Sequence, residues 1–199
     1  MAAEPLNAVH PLTREEWRNW LADNHDTADN VWLITYKQAT GKPIFSYDAA
    51  VEEALCFGWI DSVPRKLDDE RKMLYFAPRK PGSGWSRPNK ERIERMIAAR
   101  KMTAAGLAKV EAAKADGSWT ALDEIENLVM PHDLVAALGA LPPAAQNWEA
   151  FPRSVKRGIL EWIANAKRPA TRLKRIQETA ELAQRNERAN QWSGKKRSP

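Results

Sequence analysis

The 199-residue chain has a single cysteine, Cys56, so it cannot form an intramolecular disulfide. No apolar run is long enough to cross a bilayer, and the first residues have neither the basic nor the apolar segment of a signal peptide. The three histidines, His10, His25 and His132, are far apart and match no zinc-type spacing. These absences predict a cytoplasmic protein without a disulfide framework, a membrane span or a bound metal.

The fingerprints of common catalytic classes are missing as well. The sequence contains no phosphate loop, no dinucleotide-binding glycine pattern and no nucleophile elbow around a serine. Cys56 lies one helical turn from Glu52, but no histidine is close in sequence to activate a thiol nucleophile. We therefore expect no cofactor, and we favour a binding protein over an enzyme.

The composition that remains is globular, basic and rich in tryptophan. Nine tryptophans against four phenylalanines indicate indoles that line grooves or sheet edges, or that fill the core. Residues 151–199 hold 13 Lys/Arg and four Asp/Glu, a net charge of +9, whereas the remainder has a net charge of −4. Such a basic end can bind nucleic acid. We favour the alternative, the solvated face of an amphipathic helix.

The first part of the chain alternates helical and strand patterns. A capping box predicts a helix that starts after Thr13, and the β-branched run Val31–Lys37 predicts a buried strand. Ser46 is the predicted cap of a second helix, which Gly58 ends. Two further strands are predicted, one that begins at Trp59 and one over Met73–Ala77. The polar stretch between them predicts an antiparallel hairpin with a long connection.

The remainder of the chain reads as helical. Helices are predicted after Ser86 or Arg87, after Thr103, and in short pieces between prolines from about Glu126 onward. Pro169 suits the first turn of a last helix. The predicted inner face of this helix consists of Leu173, Ile176, Ala180 and Ala183. We therefore predict an α+β fold: a small, mainly antiparallel sheet packed by helices in residues 1–125, then an all-helical, basic module in residues 126–199 with a frayed tail from about residue 188.

The segment Phe76–Asn89, FAPRKPGSGWSRPN, is the strongest candidate for a binding site. A helix start exposes unpaired amide hydrogens and partial positive charge. The preceding loop adds Arg79 and Lys80, two glycines that let the backbone approach a ligand, and the Ser86 hydroxyl. Arg79 and Trp85 are expected to grip a planar or anionic group. The alternative is a rigid connector that Trp85 pins to the core.

Asp61 is the second candidate, because an acid within a short strand beside Trp59 is unexpected unless it has a partner. A structural ion pair with Arg79 or Arg65 is the favoured interpretation. The functional alternative is a base or a ligand contact in a pocket near Glu52 or Glu53.

Three stretches of the sequence resemble the YdeI/OmpD-associated family, which is labelled bacteriocin-protection. They are the strand motif Gly58–Asp61, the loop motif Pro78–Ser86 with Asn89 after it, and the helix start Ala166–Arg172. The resemblance extends from about Leu12 to Leu182 and implies a role in tolerance of bacteriocins or cationic antimicrobial peptides, without implying a reaction.

Together these features predict a site for a small anionic or aromatic ligand or an acidic peptide. The residues assigned to it are Trp59, Asp61, Arg79, Lys80, Trp85, Ser86 and Asn89. Two alternatives stay open: an enzyme that uses Asp61 or a glutamate of the same pocket as a base, and binding of nucleic acid or a partner through the basic C-terminal helices.

Overall fold

The structure is a computed structural model that describes residues 4–191. The described chain divides into two compact units, one ending at Ala121 and the other beginning at Leu122. The strands of the first unit are β1 (Ala8–Val9), β2 (Val31–Tyr36), β3 (Trp59–Lys66) and β4 (Arg71–Pro78), and its helices are α1 (Arg14–Asn24), α2 (Tyr47–Cys56), α3 (Arg87–Ala98) and α4 (Ala104–Ala115).

The four strands form one mixed sheet in the order β1-β2-β4-β3. β1 runs parallel to β2, whereas the β2–β4 and β3–β4 pairs are antiparallel. The α+β class with a small, mainly antiparallel sheet is thus confirmed. The two-residue strand β1 was not predicted, because two residues are too few to show an alternating pattern.

The β3–β4 hairpin is tighter than predicted. The strands continue through most of the polar stretch, and only residues 67–70 connect them. The register shifts between Asp61 and Pro64, so β3 contains a bulge. Residues 62–66 are exposed, which explains why this part of the strand is polar and has no apolar alternation.

Side-chain caps fix where three helices of this unit begin. The Thr13 hydroxyl accepts a hydrogen bond from the Glu16 amide, and Ser46 does the same for Ala49, as predicted. Thr103 caps α4 through the Gly106 amide. α2 ends at Cys56, and the chain turns out of it through Gly58, whose φ of +77° is the left-handed conformation that glycine adopts without strain.

The core of the first unit lies between the sheet and its helices. Its largest fully buried side chains include Trp17, Trp59, Trp85 and Phe76. A smaller cluster of Ile34, Leu67 and Met73 is separate from it. Among the tryptophans that the structure describes, the three above and Trp148 are fully buried, which favours the core interpretation for these indoles.

All the secondary structure described for the second unit is helical. The helices are α5 (Asp123–Glu126), α6 (His132–Gly139), α7 (Ala144–Ala150), α8 (Arg153–Ala164) and α9 (Pro169–Gln184). Pro169 opens α9 as predicted, and Ile176, Ala180 and Ala183 are buried. The assignment of Leu173 to the same face is wrong, because its side chain is 57% exposed. Thr179 is buried instead, and its hydroxyl donates to the Arg175 carbonyl oxygen. Of the predicted tail, residues 192–199 lie outside the described part.

Candidate functional site

A cavity of about 340 Å³ lies between the sheet and the start of α2, and we call it the sheet cleft. Its apolar lining is Leu33, Phe45, Ala50, Pro64, Met73 and Leu74. Its polar lining is Thr35, Ser46, Tyr47, Asp61, Ser62 and Lys72. An apolar hollow with a few converging polar groups is the usual form of a small-molecule site.

Strand register explains how the floor of the sheet cleft arises. In the β2–β4 pair, Leu33 lies opposite Leu74 and Thr35 lies opposite Lys72. Alternate residues of a strand point to the same face, so these four side chains share one face of the sheet. The floor is therefore apolar in its middle and polar at the Lys72 side.

The best-defined polar contact in the cleft joins its wall to its floor. The Tyr47 hydroxyl, at the first turn of α2, donates to Oδ2 of Asp61 at 2.9 Å. Burial and this hydrogen bond raise the pKa of Tyr47 to about 12, so the phenol stays a neutral donor at physiological pH. Asp61 has no ion-pair partner among the described residues, and Oδ1 is available to accept a further hydrogen bond.

Lys72 supplies the positive charge of the sheet cleft. Its ammonium group has no acidic partner among residues 4–191. Lys72 and Phe76, the register partner of Asp61, are four residues apart on β4, which separates the two charged ends by about 13 Å along the strands. The cleft thus offers a cation at one end and a carboxylate at the other, with apolar surface between them.

A second, smaller cavity of about 70 Å³ lies beside the Pro78–Ser86 loop, and we call it the loop cavity. It is bounded by Arg79, Lys80 and Gly82 of the loop, by Lys109 in the middle of α4 and by Asp116 directly after α4. The Asp116 carboxylate accepts hydrogen bonds from the amides of Gly82 and Ser118 at 3.2 and 2.8 Å. These bonds hold the loop against the end of α4, with the Ser118 bonds the larger cause of a lowered Asp116 pKa.

Arg79 is the most unusual side chain of the loop cavity. It is only 6% exposed, and its guanidinium carbon lies 3.9 Å from the centre of the Trp85 ring. Nη2 donates to the carbonyl oxygens of Ser83 and Gly84 at 3.0 and 2.5 Å, whereas Nε has no partner. Burial lowers the pKa of Arg79 to about 10, and among the described residues no carboxylate counters that effect.

The residues predicted as one site are divided among different environments. Asp61 lines the sheet cleft, and Arg79, Lys80 and Trp85 line the loop cavity. The Trp59 indole is in the core and donates to the His25 carbonyl oxygen. Ser86 begins α3 without a side-chain cap. Asn89 accepts a hydrogen bond from Arg92.

The predicted ion pair of Asp61 does not form. Arg79 donates through Nη2 to carbonyl oxygens of its own loop, and Arg65 stacks over Trp32 at 5.0 Å. Tyr47 was not predicted as the partner of Asp61, because the two residues meet only after α2 packs against β3. The position of Tyr47 beside the helix cap Ser46 was the one local signal.

Glu52 and Glu53, the other acids considered for this pocket, are engaged in a buried ionic cluster. Glu53 pairs with Arg14 and Arg18, each at 2.5 Å. Glu52 pairs with Arg14 at 3.1 Å and with Arg95 at 2.8 Å. Four arginine–glutamate contacts leave neither carboxylate available as a base.

Two further observations bear on the classes of site. Cys56 is buried, and desolvation followed by the charge of Glu53 raises the pKa of its thiol to about 11, which disfavours a thiolate nucleophile. Within residues 4–191, no cluster of His, Cys, Asp and Glu could hold a metal ion. Over the same range, no helix combines the length and apolar character needed to traverse a bilayer.

Much of the positive charge of the second unit is paired internally. Arg157 contacts Glu126 and Glu161, and Arg172 forms a two-pronged contact with Asp133. Arg175 donates to the Trp162 carbonyl oxygen and stacks over its ring. These contacts favour the solvated-face interpretation of the basic helices.

Comparisons with known families match the two parts of the chain separately. Residues 9–109, just over half of the chain, match a family model described as domain of unknown function DUF8412. Residues 127–186 match a model described as "Bacteriocin-protection, YdeI or OmpD-Associated", which confirms the resemblance for the C-terminal part. No curated protein and no solved structure gives a significant match.

Proposed function

We propose, from the premise that this chain belongs to the DUF8412 family and carries a C-terminal module of the bacteriocin-protection family, that it is a non-enzymatic binder of a small ligand. The ligand would occupy the sheet cleft. The observation that carries this proposal is the cleft itself: about 340 Å³ of mostly apolar hollow with a hydrogen-bonded Tyr47–Asp61 pair at one end. At the other end lies Lys72, which has no acidic partner among the described residues.

The lining suggests the chemistry of the ligand. An aromatic or apolar body fits against Leu33, Leu74 and Phe45, because its burial removes apolar surface from water on both sides. An anionic group would pair with Lys72, and a hydrogen-bond donor would bind Oδ1 of Asp61. A small aromatic acid or a short acidic peptide with a free amino group combines these features.

The proposed biological role is tolerance of bacteriocins or cationic antimicrobial peptides. Its support is the bacteriocin-protection family that residues 127–186 match. We propose that the first unit supplies ligand recognition, and that the second unit gives the chain its link to this role. Binding in the cleft and the tolerance role are separate proposals, since either could hold alone.

A thermal-shift screen of small acids, aromatic metabolites and short peptides tests the binding proposal on the full chain. A ligand at about 100 times its Kd should raise the Tm by about 5 °C or more. Lys72→Met and Asp61→Asn should each reduce this increase strongly, because each removes one polar end of the cleft.

Matched controls lie on the same hairpin outside the cleft. Lys66→Met and Asp69→Asn remove the same charges from an exposed surface pair and should leave the Tm increase unchanged. If every hit raises the Tm of the two cleft variants as much as that of the wild type, the ligand binds elsewhere and the proposal is wrong.

An enzyme in the same cavity is the alternative, with Asp61 as the base. We favour binding because Tyr47 already engages one Asp61 oxygen and because the two nearby glutamates are paired with arginines. Prolonged incubation of a hit with the protein distinguishes the two: recovery of unaltered ligand supports a binder, whereas a new product supports an enzyme.

Nucleic-acid binding through the basic helices is less favoured because several of their arginines are paired internally. Its signature would be affinity for an oligonucleotide that falls steeply as salt rises. Such an affinity, retained in Lys72→Met, would identify a separate function of the second unit.

A further inference from the structure

The loop cavity contains a buried positive charge that no acidic side chain of residues 4–191 neutralises. Arg79 is 94% buried, and its Nε–H has no hydrogen-bond acceptor in the described part of the chain. A buried donor without a partner is costly, and a buried cation more so. Native structures usually satisfy such a group with a counter-ion, a water or a ligand. The position of Arg79 therefore calls for a negatively charged or strongly accepting species that the polypeptide does not supply.

Two lysines add to this charge at the same cavity. Lys80 and Lys109 both line it, and neither has an acidic partner in the described part of the chain. The one carboxylate of the cavity, Asp116, already accepts bonds from two backbone amides. Three cations thus face one carboxylate whose lone pairs are partly occupied.

The backbone holds Arg79 and Lys109 next to each other through Gly58. The Gly58 carbonyl oxygen accepts the Arg79 amide hydrogen at 2.9 Å. A Cβ atom at Gly58 would lie 2.8 Å from Cγ of Lys109, so the stem of Lys109 lies directly over this glycine. Packing of α4 against the end of α2 therefore positions a lysine beside the arginine of the loop.

We propose that the loop cavity binds a small oxyanion, a carboxylate or a phosphoryl group, that accepts the Arg79 Nε–H and pairs with Lys109 and Lys80. A volume of about 70 Å³ excludes a large ligand but accommodates a group of a few atoms. Trp85 covers the guanidinium from one face, which leaves a hydrogen-bond acceptor to bind in the guanidinium plane. This site differs from the sheet cleft in its residues, and neither proposal depends on the other.

The test observes the Arg79 Nε–H directly by NMR on the full chain labelled with ¹⁵N and ¹³C. This resonance is assigned through the carbons of its own side chain, so no destabilising substitution is needed. Inorganic phosphate, acetate and chloride are titrated separately at constant ionic strength. We expect a saturable shift of the Nε–H signal with phosphate or acetate, and the tighter of the two identifies a phosphoryl group or a carboxylate as the natural ligand.

Lys109→Met is the informative variant, since it keeps the aliphatic stem over Gly58 and removes only the ammonium group. It should weaken oxyanion binding by about tenfold, the effect of one partly screened charge near the ligand. Lys174→Met removes the same charge from an exposed position on α9 and should leave the affinity unchanged.

Three results would overturn the proposal. One is an Nε–H signal that does not move with either oxyanion. The second is a shift that grows linearly and equally with all three salts, which is screening rather than binding. The third is an equal loss of affinity in Lys109→Met and Lys174→Met, which would show that net charge rather than the loop cavity governs the response.

Discussion

Glu52 and Glu53 are adjacent carboxylates on α2, and both are buried. Each contacts two arginines, and Arg14 bridges the two acids. Burying an unpaired charge is strongly unfavourable, so such a cluster tolerates the loss of one member poorly even when its net contribution is small. The cluster ties α1 and α3 to α2 through charge rather than through apolar packing.

Replacing Glu53 by glutamine tests this cluster. The substitution keeps the size of the side chain but leaves Arg14 and Arg18 without their closest acid. We expect a loss of about 2–3 kcal/mol in the free energy of unfolding, below the value for a fully buried pair because both arginines are about one third exposed. Urea denaturation measures it.

The surface pair of Lys114 and Glu111 provides the control. Glu111→Gln should change stability by less than about 0.5 kcal/mol. Equal effects of the two substitutions would mean that the buried cluster stabilises the fold no more than an exposed pair does.

Cys56 provides a second test at this scale. Its pKa, raised to about 11 chiefly by burial, keeps the thiol protonated at pH 8, and burial also blocks access. A thiol-reactive chromogenic disulfide should therefore label the native chain very slowly and the urea-unfolded chain at once. Fast labelling of the native protein at pH 8 would contradict the buried position.

Sequence reasoning found the residues of the candidate sites more readily than their partners. Asp61 and Arg79 were recognisable because an acid in a strand and a cation in a glycine-rich loop are locally unusual. Tyr47 and Lys109 were not, since their roles depend on contacts with residues 14 positions away or with a different helix. Local pattern carries no information about such distances.

At the scale of elements, α4 approaches the end of α2 with almost no space between the backbones. Cys56 is the last residue of α2, and its carbonyl oxygen accepts hydrogen bonds from both the amide and the hydroxyl of Thr103. Gly106, one turn into α4, faces the same carbonyl group. The contact needs a glycine because a side chain there has no room.

Gly106→Ala should therefore destabilise the first unit. Its Cβ would lie 2.2 Å from the Cys56 carbonyl oxygen, which is backbone and cannot turn aside. We expect a loss of about 2–3 kcal/mol, measured by thermal or urea unfolding.

Gly158→Ala is the matched control, because a Cβ at this position inside α8 meets nothing within 4 Å. Alanine favours helix over glycine, so this variant should gain about 0.5–1 kcal/mol. The two glycine substitutions should thus have opposite signs, and a gain in both would refute the close approach of α4.

Most helices and strands could be predicted from the sequence, because helix caps and apolar periodicity are local properties. Thr13, Ser46 and Thr103 each cap the helix that was expected to follow. The errors have physical reasons: β1 is too short to show a pattern, and the end of β3 lies at an exposed edge where no apolar alternation is required. Leu173 was misassigned because periodicity predicts an apolar face on the helix but not how that face is turned about the helix axis toward the core.

At the scale of the whole molecule, the buried apolar residues form clusters that stay within one unit. The largest cluster of the first unit runs from Trp17 to Ala113, and that of the second runs from Ile125 to Ala189. Each unit thus has an apolar core of its own, which is the usual requirement for independent folding.

Expression of residues 1–121 alone tests this independence. Because its core is complete, the fragment should fold cooperatively, and its tryptophan near-UV signal and NMR spectrum should reproduce those of the same residues in the full chain. A fragment that lacks dispersed NMR signals, or that unfolds without a sharp transition, would show that the first unit requires residues beyond Ala121.

The bulged, exposed end of β3 has a consequence for the behaviour of the protein at high concentration. An edge strand with free amides and carbonyls can recruit the same strand of another chain and begin an aggregate. Here Pro64 removes one donor, the bulge bends the strand, and Arg65 and Lys66 place like charges on any copy that approaches. This margin of the sheet disfavours pairing with the same strand of another molecule. The native protein should therefore remain dispersed at concentrations where a flat apolar edge would assemble into fibres.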